Sequence, residues 1–352
     1  MDKMTSLERV LCALGHREAD RVPVFLLLTM HGAKELGLTI EEYFSRPDYV
    51  AEGQLRMQAR YGHDCFYAFY YAALECEAFG SATFFVEDGP PNVKEPFLTR
   101  EKIDTLSVPS VVESKPLTRV LETIALLKEK SDGTIPIIGV VISPFSLPIM
   151  QMGFEAYLNL LWEDQERFHR LMAINEAFAF SWGQAQLDAG ATALCYFDPF
   201  SSSSMIPRET FLQTGYPIAC RMLKQWQAPV AIHMASGRCM PIVDKLLETG
   251  TGAIGVSVLE DLGQLKEACR HQATVFGNLN GLAMCNWTLQ ETEEAVRRAL
   301  AQAAPGGGFI LSDNHGEIPW YVSDDTLMTI METVRKWGRY PINWIGTDED
   351  GR

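Results

Sequence analysis

The chain has 352 residues, 47% hydrophobic and 21% charged, which is enough apolar sequence to bury a large core. Thirty Lys and Arg against 45 Asp and Glu give a formal net charge of -15, which argues against nucleic acid or an anionic membrane as a partner, since both call for clustered basic residues. No apolar run reaches the roughly 20 residues that span a bilayer. The charged, amphipathic start "MDKMTSLERVLCALGHREADRVP" is unlike a secretory signal, and the eight cysteines (12, 65, 76, 195, 220, 239, 269, 285) form no C-x-x-C pair. The expectation is a cytoplasmic protein with reduced, mostly buried thiols.

In chain order, "SLERVLCAL" reads as a helix closing the bottom of whatever fold follows, and Asp20-Arg21 as a structural ion pair beside it. Short β-rich apolar runs then recur: 22–28, 64–70, 136–142, 192–197, 229–234, 252–257, 273–278 and 308–312. Helical patterns separate them. One spans 40–62 with a break at Pro47, one spans 117–130, and 154–190 holds two. Another covers 208–226, and the last two carry Leu289, Ala295, Leu300 and Leu327, Ile330, Met331, Val334 at helical spacing.

Continuous apolar strands alternating with amphipathic helices predict a parallel sheet covered by helices. Eight such units predict an α/β protein, a (β/α)8 TIM barrel as a single domain over 1–352, with a doubly wound open sheet as the alternative. No G-x-G-x-x-G or P-loop pattern follows a strand. Residues 71–115 depart from the repeat. "ALECEAFGSATFFVEDGPP" reads as two extended pieces around Gly80-Ser81, a hairpin-like insertion after strand 2 that would flap over the catalytic face or else be a packed excursion.

The strands end on polar residues: Asp198, His233 in "PVAIHMASG", Ser257 and Glu260, Asn278 in "GNLN", and Ser312, Asp313, Asn314, His315. A histidine beside apolar residues is commonly a hydrogen-bonded core residue. Two histidines and several carboxylates aimed at one bowl are instead the residue types that bind a divalent metal or exchange protons. His233, His315 and Asp198 are the candidate catalytic residues, and Glu77, Tyr196, Asn278, Asp313 and Trp320 the candidate substrate contacts. The serine-rich loop "CYFDPFSSSSMIP" would hydrogen-bond a ligand or cap the next helix.

Four blocks, "SLERVLCALGHREADRVPV", "GNLN", "GGGFILSDNHGEIP" and "LMTIMETVRKWGRYP", resemble the uroporphyrinogen decarboxylase superfamily over nearly the whole chain. That resemblance implies a (β/α)8 barrel and includes corrinoid-dependent methyltransferases. The decarboxylase proper resembles this chain less. It answers a substrate with many carboxylates with arginines after strand one, where this chain reads "FLLLTMHGAKELG" with no arginine from 22 to 45. An aromatic wall from Phe66, Tyr67, Phe69, Tyr70, Tyr71, Phe84, Phe85 and Trp320 suits a small methylated substrate better.

In the coenzyme M methyltransferases of this superfamily, zinc is held by His-x-Cys and a later Cys. His233 matches the histidine, Ala235 stands at the first cysteine and His315 at the second. The resemblance therefore implies zinc on His233, His315 and a carboxylate such as Glu77, Asp198 or Asp313. It also implies methyl transfer from a small methoxylated aromatic to the cobalt of a separate corrinoid protein. Methylcobamide-to-thiol transfer, a decarboxylase and a non-catalytic corrinoid or tetrapyrrole carrier are the alternatives.

Overall fold

The computed structural model describes residues 3–345. Its strands are β1 (Val24–Phe25), β2 (Phe66–Tyr67), β3 (Thr83–Phe84), β4 (Asn92–Val93), β5 (Ile137–Ile142), β6 (Ala193–Phe197), β7 (Val230–His233), β8 (Ala253–Gly255), β9 (Thr274–Leu279) and β10 (Phe309–Asp313). Eight of them form one curled sheet in the order β1-β10-β9-β8-β7-β6-β5-β2, every pair parallel. Consecutive strands therefore stand at the two ends of the order, as a TIM-barrel-like sheet requires. Each of the eight apolar runs coincides with one of these strands, β9 and β10 each running one residue past the end of the run. Both faces of such strands are buried, so they carry little polar sequence.

The two ends of the sheet meet without a strand ladder. Asp64 joins them: its N–H donates to the Val24 carbonyl at 2.8 Å, and the Val24 N–H donates to Asp64 Oδ2 at 2.8 Å. The same buried carboxylate accepts from Arg9 Nη1 (2.6 Å), from Arg21 Nη1 (2.7 Å) and Nη2 (3.1 Å), and from Ser6 Oγ (3.0 Å). Asp20 and Arg21 were expected to pair with each other. Their side chains instead take different partners, Asp20 binding Arg9 (2.7 and 3.0 Å) and Arg21 binding Asp64. The neighbouring Arg9 guanidinium holds the Asp20 carboxyl far below the usual range despite its burial.

Helix α1 (Ser6–Leu14) starts at a Thr5–Glu8 capping box. Its Val10 and Ala13 pack with Phe25, Cys65, Ile138, Cys195, Ala253, Phe276 and Ile310 in the core inside the sheet. A larger core lies between the sheet and the outer helices. Pro47 ends one helix and starts the next (Ile40–Ser45, Pro47–Tyr61), where its missing N–H costs nothing. Region 154–190 holds the two helices expected, Phe154–Glu163 and Gln165–Ala189, while 208–226 is split at Thr214. All eight cysteines are free, and burial pushes the thiols of Cys65, Cys76, Cys195 and Cys239 well above their ordinary value. Among the described residues, no helix is long and apolar enough to cross a membrane.

Residues 71–115 differ from the reading of two extended pieces around Gly80-Ser81. "LECEA" is a helix (Leu74–Ala78), and the hairpin lies later, β3 pairing antiparallel with β4. A tertiary contact made by Glu75 accompanies this helix. Its Oε1 accepts the Ile142 N–H at 2.8 Å, tying the segment to the end of β5. Burial pushes the Glu75 carboxyl up to about 8 from an ordinary 4.5. The folded protein keeps this proton to higher pH than the unfolded chain, so stability from this group falls as pH rises from about 4.5 through about 8. Glu75→Gln keeps the acceptor and cannot ionise. It should melt close to wild type at pH 5 and above wild type at pH 8.5. Parallel melting curves at both pH values would show that the carboxyl does not titrate as argued.

Candidate active site

A cavity of about 520 Å³ opens at the C-terminal ends of the strands, within the size range of pockets for small ligands. Met30 follows β1, Phe69 and Ala72 follow β2, and Ile142 and Phe197 end β5 and β6. Ala235 follows β7, and His315, Gly316, Glu317, Trp320 and Tyr321 follow β10. Residues 88–92, between and beginning the hairpin strands, close one side. The lining is mostly apolar and aromatic. It contains two carboxylates, Asp88 and Glu317, and no Lys or Arg.

His233 ends β7 fully buried, in register with Phe197 of β6 and Gly255 of β8. Its ring stacks on Phe197, with centroids 4.6 Å apart at 14°, and meets Phe276 edge-on at 5.2 Å. Gly255 makes the room, because a Cβ there would stand 2.7 Å from His233 Cδ2. Ala235, at φ +49°, turns the chain so that its N–H donates to His233 Nδ1 at 2.8 Å. Among the described residues, His233 Nε2 has no hydrogen-bond partner. Burial first, then the nearby His315, lowers the ring to about 3, so it is neutral at physiological pH.

His315 sits at the cavity rim, its Nδ1 paired with Ser236 Oγ. Asp313 is buried under it. Asp313 Oδ2 accepts the N–H of His315 (2.7 Å) and of Gly316 (3.2 Å), while Oδ1 has no partner. Burial outweighs those two bonds and pushes the carboxyl up to about 7. Burial likewise pushes Glu317 up to about 8. Trp320 lines the cavity and carries Lys34 Nζ 4.3 Å from its ring centroid.

The other expected site residues lie elsewhere. Asp198 is buried beside the cavity but not in its lining, its Oδ1 accepting from Ser143 Oγ (2.5 Å) and Ser146 Oγ (2.8 Å). Tyr196 faces the outer helices, with Trp226 at 6.4 Å, because its neighbours Cys195 and Phe197 take the inward positions. Glu77 accepts from Tyr71 OH at 2.8 Å, outside the cavity lining. Asn278 lines a separate cavity of about 250 Å³ with Trp287 and Arg298, and its Nδ2 donates to the Ser257 carbonyl at 3.1 Å.

Of the expected aromatic wall only Phe69 and Trp320 line the cavity. Tyr67 lies in the inner core, Phe66, Tyr70 and Tyr71 in the outer one. Phe85 packs on Tyr71 and Phe84 is exposed. Phe197, Tyr321 and Glu317 take their places. The sequence pattern does not mark them, although Phe197 is one residue from Asp198. The serine loop binds protein: Ser203 Oγ donates to the Arg238 carbonyl at 2.9 Å, and the Arg238 N–H donates to Ser204 Oγ at 3.0 Å.

The zinc implied by the resemblance does not fit these residues. Among the described residues, no three His, Cys, Asp or Glu side chains converge so as to hold a metal ion. The Ala235 N–H occupies His233 Nδ1, so the proton of the neutral ring is on Nε2, and a nitrogen bearing a proton has no lone pair for a metal. The side chains present form a hydrogen-bonding site instead.

Known proteins share this architecture. The chain is similar to the uroporphyrinogen decarboxylase of Thioalkalivibrio sulfidiphilus, 22% identical across 94% of this chain and 98% of that protein. The Bordetella petrii uroporphyrinogen decarboxylase is 24% identical across 83% and 84%. Among solved structures, a methyltransferase from Methanosarcina mazei superposes with a TM-score of 0.85 at 18% identity, covering 95% of this chain and 99% of that one. A B12-independent methionine synthase from Shewanella sp. W3-18-1 reaches 0.56 at 16% identity, covering 84% and 89%. At these identities the superpositions speak to the fold alone. The model of the family described as uroporphyrinogen decarboxylase (URO-D) matches residues 5–337, so the barrel, the bowl and the blocks at both ends of the chain have one common source: this chain belongs to the uroporphyrinogen decarboxylase family.

Proposed function

We propose that this protein is a cytoplasmic methyltransferase that moves a methyl group from a small methoxylated aromatic substrate to the cobalt of a corrinoid carried by a partner protein. The observation that carries this reading is the cavity lining: four aromatic rings (Phe69, Phe197, Trp320, Tyr321), two carboxylates, one histidine and no Lys or Arg. A polycarboxylate placed there would lose its hydration without gaining a cation, a cost of several kcal/mol per charge. A neutral aryl methyl ether buries apolar surface and meets no such penalty. The fold shared with a Methanosarcina methyltransferase supports the reading, as does the departure from the arginines that a decarboxylase of this family would use.

Cobalt(I) supplies the nucleophile when the partner docks. This chain's residues hold the ring between aromatic side chains and keep the methyl carbon in line for attack, the positioning part of catalysis. The segment 71–115 would close over the bound ring as a flap, with residues 88–92 nearest it. The test mixes the protein with a reduced corrinoid protein and a panel of methoxyarenes. The expected result is the spectrum of methylated corrinoid together with stoichiometric phenol. Transfer only from methylated corrinoid to a thiol would favour the reverse half-reaction instead. Release of CO2 from a carboxylated substrate, with no methyl transfer, would defeat the reading.

A further inference from the structure

We infer that the cavity selects a cationic ligand: the methyl donor carries an ammonium group, which Asp88 and Glu317 recognise. The inference rests on the methyl-transfer reading above and adds the charge class of the substrate. The lining holds these two carboxylates beside four aromatic rings, with no Lys or Arg to answer them. Its one histidine, His315, is shifted by burial toward the neutral ring. Among the described residues neither Asp88 nor Glu317 has an ion-pair partner. A carboxyl enclosed by aromatic side chains without a cation is a cost that a cationic ligand removes.

The two acids belong to different segments of the site. Asp88 lies between the hairpin strands β3 and β4, and its Oδ2 accepts a hydrogen bond from Tyr321 OH, beyond β10. That bond fixes the carboxylate and leaves Oδ1 for a ligand. Asp88 and Tyr321 are both exposed, so an ammonium group there keeps part of its water. Glu317 is more enclosed, four residues before Tyr321 in the same loop. Its carboxyl oxygen can accept an ammonium N–H whether or not the group keeps its own proton.

The rings complete the fit. Each presents a negative face that attracts a cation and disfavours an anion. Trp320 already shows this: Lys34 Nζ stands 4.3 Å from its ring centroid, outside the cavity lining, and donates to the Trp320 carbonyl. A neutral ether would use only the apolar part of the lining. An aromatic ether with an ammonium group on a short arm would use the carboxylates as well. A partly hydrated cation–π contact and an exposed ion pair together correspond to about 10- to 100-fold in affinity. The net charge of -15 pulls on any cation, so the test has to separate the site from the general field.

Titration calorimetry at about pH 7.5 does so with p-methylanisole, p-methoxybenzylamine, its N-trimethyl analogue and p-methoxybenzoate. The two cations should bind about 10- to 100-fold more tightly than the neutral ether, and the benzoate more weakly than it. Asp88→Asn, at an exposed position, should cut the cation-to-neutral ratio at least about threefold. Adding Glu317→Gln should bring that ratio to within about threefold of one. Equal binding of cation and neutral ether by the wild type would overturn the inference. So would a preference that survives the double substitution, because it would then belong to the field of the whole protein. Benzylamine, which lacks the methoxy group, separates this inference from the methyl-transfer reading. If it binds as tightly as its methoxylated analogue and neither yields methylated corrinoid, that reading fails while the selection of a cation stands. If the neutral ether is demethylated with the same kcat/KM as the cations, the reading stands and the inference is overturned.

Discussion

Asp64→Ala is expected to cost about 3–5 kcal/mol of folding stability, the usual penalty for breaking a buried ion pair by removing one partner. The carboxylate has a side chain with 0% exposure and is shared by Arg9 and Arg21. It also accepts the Val24 N–H, at the place where β1 and β2 meet without a strand ladder. Removing it therefore deletes charge compensation and the clasp between the two ends of the sheet in one step. Chemical denaturation should show a lower midpoint. The slope should also fall if the sheet edges separate in the native state. A loss below about 1 kcal/mol would show that water or neighbouring groups replace the carboxylate and that the clasp is dispensable.

Gly316→Ala should be the more damaging change at the site. Gly316 has φ +96°, a conformation that L side chains rarely adopt, and a Cβ there would lie 2.4 Å from Phe197 Cε1. Backbone strain and overpacking together should cost about 2–5 kcal/mol. Phe197 has to shift, and with it the wall of the cavity and the surface against which His233 stacks. Ligand affinity, read by quenching of Trp320 fluorescence, should fall by more than about tenfold, matching the loss of about 1.4 kcal/mol or more of aromatic contact. A variant of wild-type stability that binds an anisole normally would mean that Phe197 can rotate away freely. The aromatic wall of the cavity would then not be fixed.

The fold was legible because parallel strands buried on both faces read as uninterrupted apolar runs, and each of the eight such runs coincides with a strand. The same property hid the site. With both faces apolar, nothing in "TALCYF" tells which parity looks inward, so Tyr196 and Phe197 exchange roles between expectation and structure. Residues 71–115 misled for another reason. The helix Leu74–Ala78 is tied down by Glu75 reaching the Ile142 N–H, a contact 67 residues away that no local pattern encodes. His233 is legible as a residue of the bowl end of the barrel, since it closes an apolar run. Its tautomer depends on the N–H of Ala235, which a sequence does not display.

The distribution of sulfur has a bearing on the chemistry of an activated methyl group. Any thiolate near such a group is a competing nucleophile, and its capture would be irreversible self-methylation. None of the residues lining the cavity is a cysteine, and the buried thiols of Cys195, on β6, and Cys65, just before β2, are held protonated by their surroundings. A protonated thiol is a poor nucleophile. On the methyl-transfer reading proposed above, these two buried thiols would offer the donor no thiolate to alkylate.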